Sequence, residues 1–292
     1  MPRGWPAKQT RALWAWMAQS RPPVRVLLGG AEGGVGTSTV TALLGEMVAA
    51  SSPGPTVIAD QCGAAWNALV RRLVGEQAGM PAAQVADMLG YGASAEQIRA
   101  VAPTTSAGAV LIDDGHGYHR LGDIARLART TCGTLVVDGG RVDGVFTARL
   151  DIRPVVVVVG RADVIGAEAV CAAVELLHRT APGVEPVVVL SSVTTTGATP
   201  SSLPSAAAAR RRVQAATTLV TAAGITHLVH LPHDARLASG QPLRLNQVGK
   251  STALAGLRLL SRIVTVMGEA HRAHRDTQPG RPAATTTGQP ST

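Results

Sequence analysis

The sequence predicts an α/β fold, a doubly wound and predominantly parallel sheet flanked by helices. Three observations point to it. Short β-branched runs, "VRVLL", "TVIAD", "AVLID", "TLVVDG", "PVVVVVG", "PVVVLSSV" and "THLVHLP", alternate with Ala/Leu-rich stretches of helical pattern, the signature of strands joined by crossover helices. Runs such as "PVVVVVG" are apolar throughout, as expected for strands covered on both faces; a strand with one wet face would alternate. A glycine-rich segment, "GGAEGGVGTSTV" from Gly29 to Val40, closes the first run and opens the first helical pattern. In open α/β sheets ligands bind at such carboxyl ends of strands.

The chain of 292 residues is 46% hydrophobic, enough for one domain of roughly 250 residues plus tails. Residues 1–23 form an arm that ends in "RPP" and carries Trp5, Trp14 and Trp16, in a chain with only 2% aromatics. Residues 24–266 form the domain. Residues 267–292 lack apolar periodicity, turn rich in Thr, Pro and Gly, and read as disordered. Cys62, Cys132 and Cys171 are scattered without a CxxC pair, so neither a zinc site nor a disulfide framework is indicated, and a reducing cytoplasm is expected. No segment reaches the ~18–20 apolar residues of a membrane span. The net charge of +8 admits contact with nucleic acid or an anionic membrane surface and specifies neither.

Taken in chain order, the first strand leads into the loop at residues 29–40, where glycines let backbone N–H groups turn toward phosphate oxygens and the next helix adds its positive dipole end. An ordinary P-loop adds a lysine for the β- and γ-phosphates and a Ser/Thr for magnesium. "TVIAD" ends in Asp60, and a helical segment "AAQVADMLGYGASAEQIRAV" precedes "AVLID". "DDGHGYHR" crowds Asp113, Asp114, His116 and His119 into one glycine-rich loop and reads as surface rather than as a metal site. "TLVVDG" carries Asp138, and "PVVVVVGR" leads into a long helix. "ARRRV", with Arg210 to Arg212, opens a helix and offers a basic face to phosphates. "GKST", Gly249 to Thr252, follows "PLRLNQV" rather than a strand and reads as the start of the last helix, not a second phosphate loop.

With these residues in view, "AEGGVGTST" resembles the deviant Walker A loop, usually KGGVGKTT, of the ParA/MinD superfamily of P-loop NTPases. Gly33, Gly34, Val35, Gly36, Ser38 and Thr39 fit; Glu32 stands at the signature-lysine position and Thr37 at the P-loop-lysine position. The resemblance extends over about residues 24–266. "TVIADQCGAAWNALVRRL" is similar to the family's second strand and switch I, with Asp60 at its first acidic position and Cys62 where the water-orienting aspartate stands. "GTLVVDGG" resembles the Walker B and switch II strand, which implies that Asp138 and Ser38 hold magnesium. "VVVLSSV" places Ser191 where an adenine-contacting Asn is common, and "THLVHLPHDARL" aligns Pro232 and Asp234 with the IPxD turn. The resemblance implies ATP and magnesium as cofactors, bound through residues 33–39, Asp60 and Pro232.

The departures weaken that site. A lysine about 4 Å from a phosphate supplies on the order of 4 kcal/mol of gross attraction at an effective dielectric of 20, whereas Thr37 offers a hydroxyl. Glu32 would repel phosphate, and Cys62 cannot orient water as a carboxylate does. The implied function is a cytoplasmic partition or positioning regulator, a pseudo-ATPase with weak or non-hydrolytic nucleotide binding. Two alternatives stay open: an active partition ATPase in which an arginine such as Arg141 or Arg161 restores the charge, and a nucleotide-free scaffold of a septum, secretion or conjugation apparatus, its glycines serving only a tight turn. The family implies a homodimer and non-specific DNA as partners; Leu13, Trp14, Trp16 and Met17 suggest that the arm docks on a membrane interface or a protein.

Overall fold

The computed structural model describes residues 24–52, 54–62, 68–113, 121–130, 133–192 and 205–276. A single eight-stranded sheet has the order β3-β4-β2-β5-β1-β6-β7-β8, and every pair in it is parallel. Its strands are β1 (Arg25–Gly30), β2 (Thr56–Asp60), β3 (Met80–Pro81), β4 (Val110–Asp113), β5 (Thr134–Arg141), β6 (Val155–Arg161), β7 (Val187–Ser191) and β8 (Leu228–Leu231). The chain reverses its direction of winding at β1, which lies between β5 and β6, and the glycine-rich loop emerges there.

Alternate strand residues feed two cores, because successive side chains point to opposite faces. Val26 and Leu28 of β1 join the face covered by α1 (Thr37–Ala49), α2 (Ala68–Val74) and α10 (Lys250–Asp276). Leu27 joins the other face, covered by α3 (Ala82–Gly90), α4 (Ala95–Val101), α5 (Leu121–Thr130), the short α6 (Gly144–Thr147), α7 (Val164–Thr180) and α8 (Ala206–Ala222). Burial on both faces explains why all five residues of "VVVVV" in β6 are buried.

All seven strands expected from the β-branched runs are present. The edge strand Met80–Pro81 was not expected: two residues carry no periodicity, and proline is confined to such edges because it cannot donate to a ladder. The helical segment before β4 is two helices. Ser94 ends the intervening turn by capping α4 in a reciprocal capping box with Gln97, an arrangement that fixes a helix start.

One boundary is corrected. Disorder was expected from residue 267, but α10 continues to Asp276. Its nucleus lies upstream, where Leu257, Leu260, Ile263 and Val266 bury against the sheet, and adding residues to a formed helix is far easier than starting one. Glu269 also reaches Nε2 of His227 at 3.4 Å. Residues 277–292, the arm at 1–23 and the Asp114–His119 loop lie outside the described residues. "GKST" opens α10, as expected.

Asp234 ties the late turn to that opening. Its Oδ1 accepts from the N–H groups of Arg236 and Leu237 at 2.9 and 3.4 Å, capping α9 (Ala235–Ala238), and its Oδ2 accepts from the Gly249 N–H at 2.9 Å. Burial opposes its charge, but these N–H groups and the nearby Thr252 hydroxyl outweigh burial and hold the carboxyl below its ordinary range. Asp234→Ala should therefore lower stability by about 1–2 kcal/mol, read as a lower urea midpoint, while Asp234→Asn, which keeps the Oδ1 cap, should lose less.

Candidate functional site

The loop after β1 has the geometry of an anion cradle. Gly34 and Gly36 have φ of 75° and 91°, a left-handed region that glycine enters without steric cost. Gly36 is the N-cap of α1 and no side chain caps that helix, so its first N–H groups remain available to an incoming anion. A Cβ at Gly33 or Gly34 would meet nothing within 4 Å, so that side of the loop is open. Gly30 differs: a Cβ there would lie 2.6 Å from Thr37 Oγ1 and 2.9 Å from the Glu32 carbonyl oxygen, so this glycine serves the tight turn.

Beside the cradle, the strand register lines up acids. Asp60 is the direct neighbour of Asp138 across β2 and β5, and of Asp113 across β2 and β4. Asp60 and Asp138 are buried. The Cys62 N–H donates to Asp60 Oδ1 at 3.1 Å, and the Gly140 N–H to Asp138 Oδ1 at 3.0 Å. Oδ2 of each is buried and has no hydrogen-bond partner among the described residues. Burial, then repulsion from Asp60, pushes the Asp138 carboxyl up to about 6; Ser38, the Gly140 N–H and Arg149 pull the other way without prevailing. Burial likewise raises Asp60, against the opposing pull of Cys62. Asp60, Cys62 and Asp138 each bring a ligand atom within 4.8 Å of the others.

Two arginines set the local charge. Arg161, at the end of β6, meets Glu32 with Nε 2.8 Å from Oε1, and Asp163 Oδ2 at 3.8 Å. The register causes this, since Gly30 pairs with Val159 and two further residues along each chain stand Glu32 and Arg161. Arg149, in the 3-10 turn Ala148–Ile152, is buried; its Nη1 donates to the Gly139 carbonyl at 2.6 Å and its Nη2 to the Gln61 carbonyl at 3.0 Å. It thereby joins the chain just past Asp60 to the chain just past Asp138.

The structure thus brings together residues 33–39, Asp60, Cys62 and Asp138, with Ser38 close enough to Asp138 to favour its charged form. Pro232 follows β8, three strands from β1, hence about 14 Å across the sheet by strand spacing. Ser191 is buried at the end of β7. Arg141 is exposed at the end of β5, and Arg210 to Arg212 are exposed on α8. Arg149 was missed, because "TARLD" reads as a solvated turn; the Glu32–Arg161 pair was missed as well, although counting residues from the ends of two adjacent strands would have placed the two together.

No family model matches the sequence, and no curated protein matches it. Solved structures do. A ParA family ATPase from Chlorobium tepidum TLS is similar with a TM-score of 0.57 at 15% identity, over 84% of this chain and 98% of that one. A chain of the MinC:MinD cell division protein complex of Aquifex aeolicus gives 0.57 at 13%, over 88% and 98%. The septum site-determining protein MinD of Pyrococcus horikoshii, complexed with Mg-ADP, gives 0.55 at 14%, over 85% and 98%. At these identities the likeness is one of fold: this chain has the ParA/MinD-type P-loop NTPase fold. Among the described residues, no helix is long and apolar enough to cross a membrane.

The raised Asp138 carboxyl has a definite sign in stability. Its folded pKa of about 6 exceeds the ordinary value of 3.8, so the folded state holds the proton more tightly, and stability falls as pH rises between about 4 and about 6. Above that window the full cost applies, on the order of 3 kcal/mol for two pKa units. Asp138→Asn should flatten this part of the pH profile and raise stability at pH 7.5, measured by denaturant unfolding at several pH values.

Proposed function

We propose that the chain is a ParA/MinD-like partition or positioning regulator that binds nucleotide weakly through residues 33–39 and hydrolyses it poorly or not at all. The observation that carries this reading is the ion pair between Glu32 and Arg161. The loop lacks both family lysines, and Arg161 beside it is held by the loop's own carboxylate. Thr37, first residue of α1, has no charge to set against phosphate.

The remaining residues fit a magnesium nucleotide. The uncapped start of α1 and the open face at Gly33 and Gly34 suit phosphate, and Asp138 Oδ2, without a hydrogen-bond partner among the described residues, suits a hard cation. Ser38 and Asp138 would hold the magnesium, whose charge would offset that of the phosphates; Asp60 and Pro232 complete the proposed nucleotide-binding set. Cys62 offers a thiol, a weak hydrogen-bonding group, where hydrolysis needs a carboxylate to orient water. The Mg-ADP of the Pyrococcus structure supports the nucleotide, and the MinC:MinD complex supports a protein partner. Homodimerisation, DNA contact through Arg210 to Arg212 and docking through the arm belong to the same proposal, as does a cytoplasmic location.

A second reading, an active ATPase, rests on Arg161: released from Glu32, it would supply the missing charge beside the loop. Calorimetry with Mg-ATP and a phosphate-release assay separate the two. The wild type should bind weakly with turnover at background. Thr37→Lys should tighten binding about tenfold, worth about 1.4 kcal/mol, with little gain in turnover, and Glu32→Gln should tighten it by a smaller factor. Wild-type turnover abolished by Arg161→Ala would establish the active enzyme instead, and absence of binding in all three proteins would leave the scaffold.

A further inference from the structure

We propose that Asp60, Asp138 and Cys62 form a site for a soft divalent cation of the zinc class, filled without nucleotide. Their ligand atoms lie within 4.8 Å of one another. Asp60 is 3% exposed and Asp138 0%, and Oδ2 of each makes no hydrogen bond among the described residues. A buried anionic oxygen without a donor is costly, and two on adjacent strands are costlier still. A cation between them removes both costs.

The two aspartates are already oriented for this. The Cys62 and Gly140 N–H groups hold Oδ1 of each, leaving Oδ2 as the ligand, in the manner of outer-shell hydrogen bonds that fix metal ligands. Zinc–sulfur and zinc–oxygen bonds of about 2.3 and 2.0–2.2 Å imply ligand atoms roughly 3.4–3.6 Å apart in a tetrahedron. The cluster would close by at most about 1.4 Å, within reach of side-chain rotation. Cys62 is half-buried while the aspartates are buried, so a cation enters from the thiol side, and the fourth position falls to water. Two carboxylates and a thiolate leave a metallated site at net −1, with the Arg149 guanidinium bonded to the carbonyls of Gly139 and Gln61 beside it.

Sulfur decides the metal. Thiolate favours zinc and its neighbours, whereas magnesium takes oxygen ligands and keeps several waters. An aspartate at position 62 would have made an all-oxygen set suited to magnesium; the cysteine shifts the preference. The site shares Asp138 with the magnesium proposed for the nucleotide-bound state, so the two metals would exclude one another; it needs no nucleotide itself, and its failure would leave the regulator reading untouched.

The test is a titration of the full chain, freed of metal by chelation, with Co2+ and then Zn2+, in excess Mg2+ and without nucleotide. One equivalent of Co2+ should produce a sulfur-to-cobalt charge-transfer band in the near ultraviolet, and Zn2+ should erase it. Cys62→Ser and Cys62→Ala, each checked for native circular dichroism, should lack the band and bind Zn2+ at least tenfold more weakly. The Cys132→Ser/Cys171→Ser double variant should keep both properties. Zn2+ should raise the Tm of the wild type and not that of the Cys62 variants. A wild type without the band, a band that survives in the Cys62 variants, a band lost in the double variant, or displacement by Mg2+ would each overturn the proposal.

Discussion

The site depends on the register of four adjacent parallel strands, β2, β5, β1 and β6. Asp60 stands against Asp138, Leu28 against Asp138, and Gly30 against Val159. Parallel strands about 4.8 Å apart leave the side chains at their carboxyl ends no freedom to avoid one another. The same register that opens a loop for an anion therefore forces two carboxylates together beneath it and delivers Glu32 to Arg161. A one-residue slip would send every side chain of a strand to the opposite face, so both cores hold the acids in place.

Holding two buried carboxylates side by side requires compensation, and the chain supplies only part of it. Backbone N–H groups satisfy one oxygen of each. The Gly140 donor exists because that residue turns left-handed at φ 72° beside Cys62, where a Cβ would lie 3.2 Å from Cys62 Cα. Arg149 adds positive charge behind the pair but spends its Nη1 and Nη2 on carbonyl oxygens. Left uncompensated among the described residues is the Oδ2 of each aspartate, and the Asp138 carboxyl is raised. The positive charge near the site thus lies behind it and beside it, in Arg149 and Arg161.

Much of this was legible. Strands covered on both faces show as unbroken β-branched runs, so β1, β2 and β4 to β8 could be read directly, and the loop's glycines and the terminal aspartates follow from where those runs end. What was not legible depends on neighbours in space. Met80–Pro81 is a strand only because β4 offers it an edge. Residues 267–276 are helical because Ile263 and Val266 anchor the turns before them and Glu269 reaches His227. Arg149 looks like any surface arginine until the fold folds it under β5. The ParA/MinD resemblance implied roles for Ser38 and Asp138 but could not indicate that Glu32 would be neutralised from the next strand.

That neutralisation can be weighed against the loss of the lysines. Glu32 and Arg161 are 26% and 35% exposed, and partly exposed pairs of this kind contribute at most about 1 kcal/mol. A phosphate could displace the Glu32 carboxylate from Arg161 at that modest cost, although a tethered competitor acts at an effective concentration in the millimolar range. The lysine absent at Thr37 corresponds to a gross attraction several times larger, on the order of 4 kcal/mol. The dominant weakness of the cradle therefore lies in Thr37, and Glu32 adds a smaller, reversible one. An incoming anion would therefore meet the uncapped N–H groups at the start of α1 with no lysine or arginine among residues 29–40.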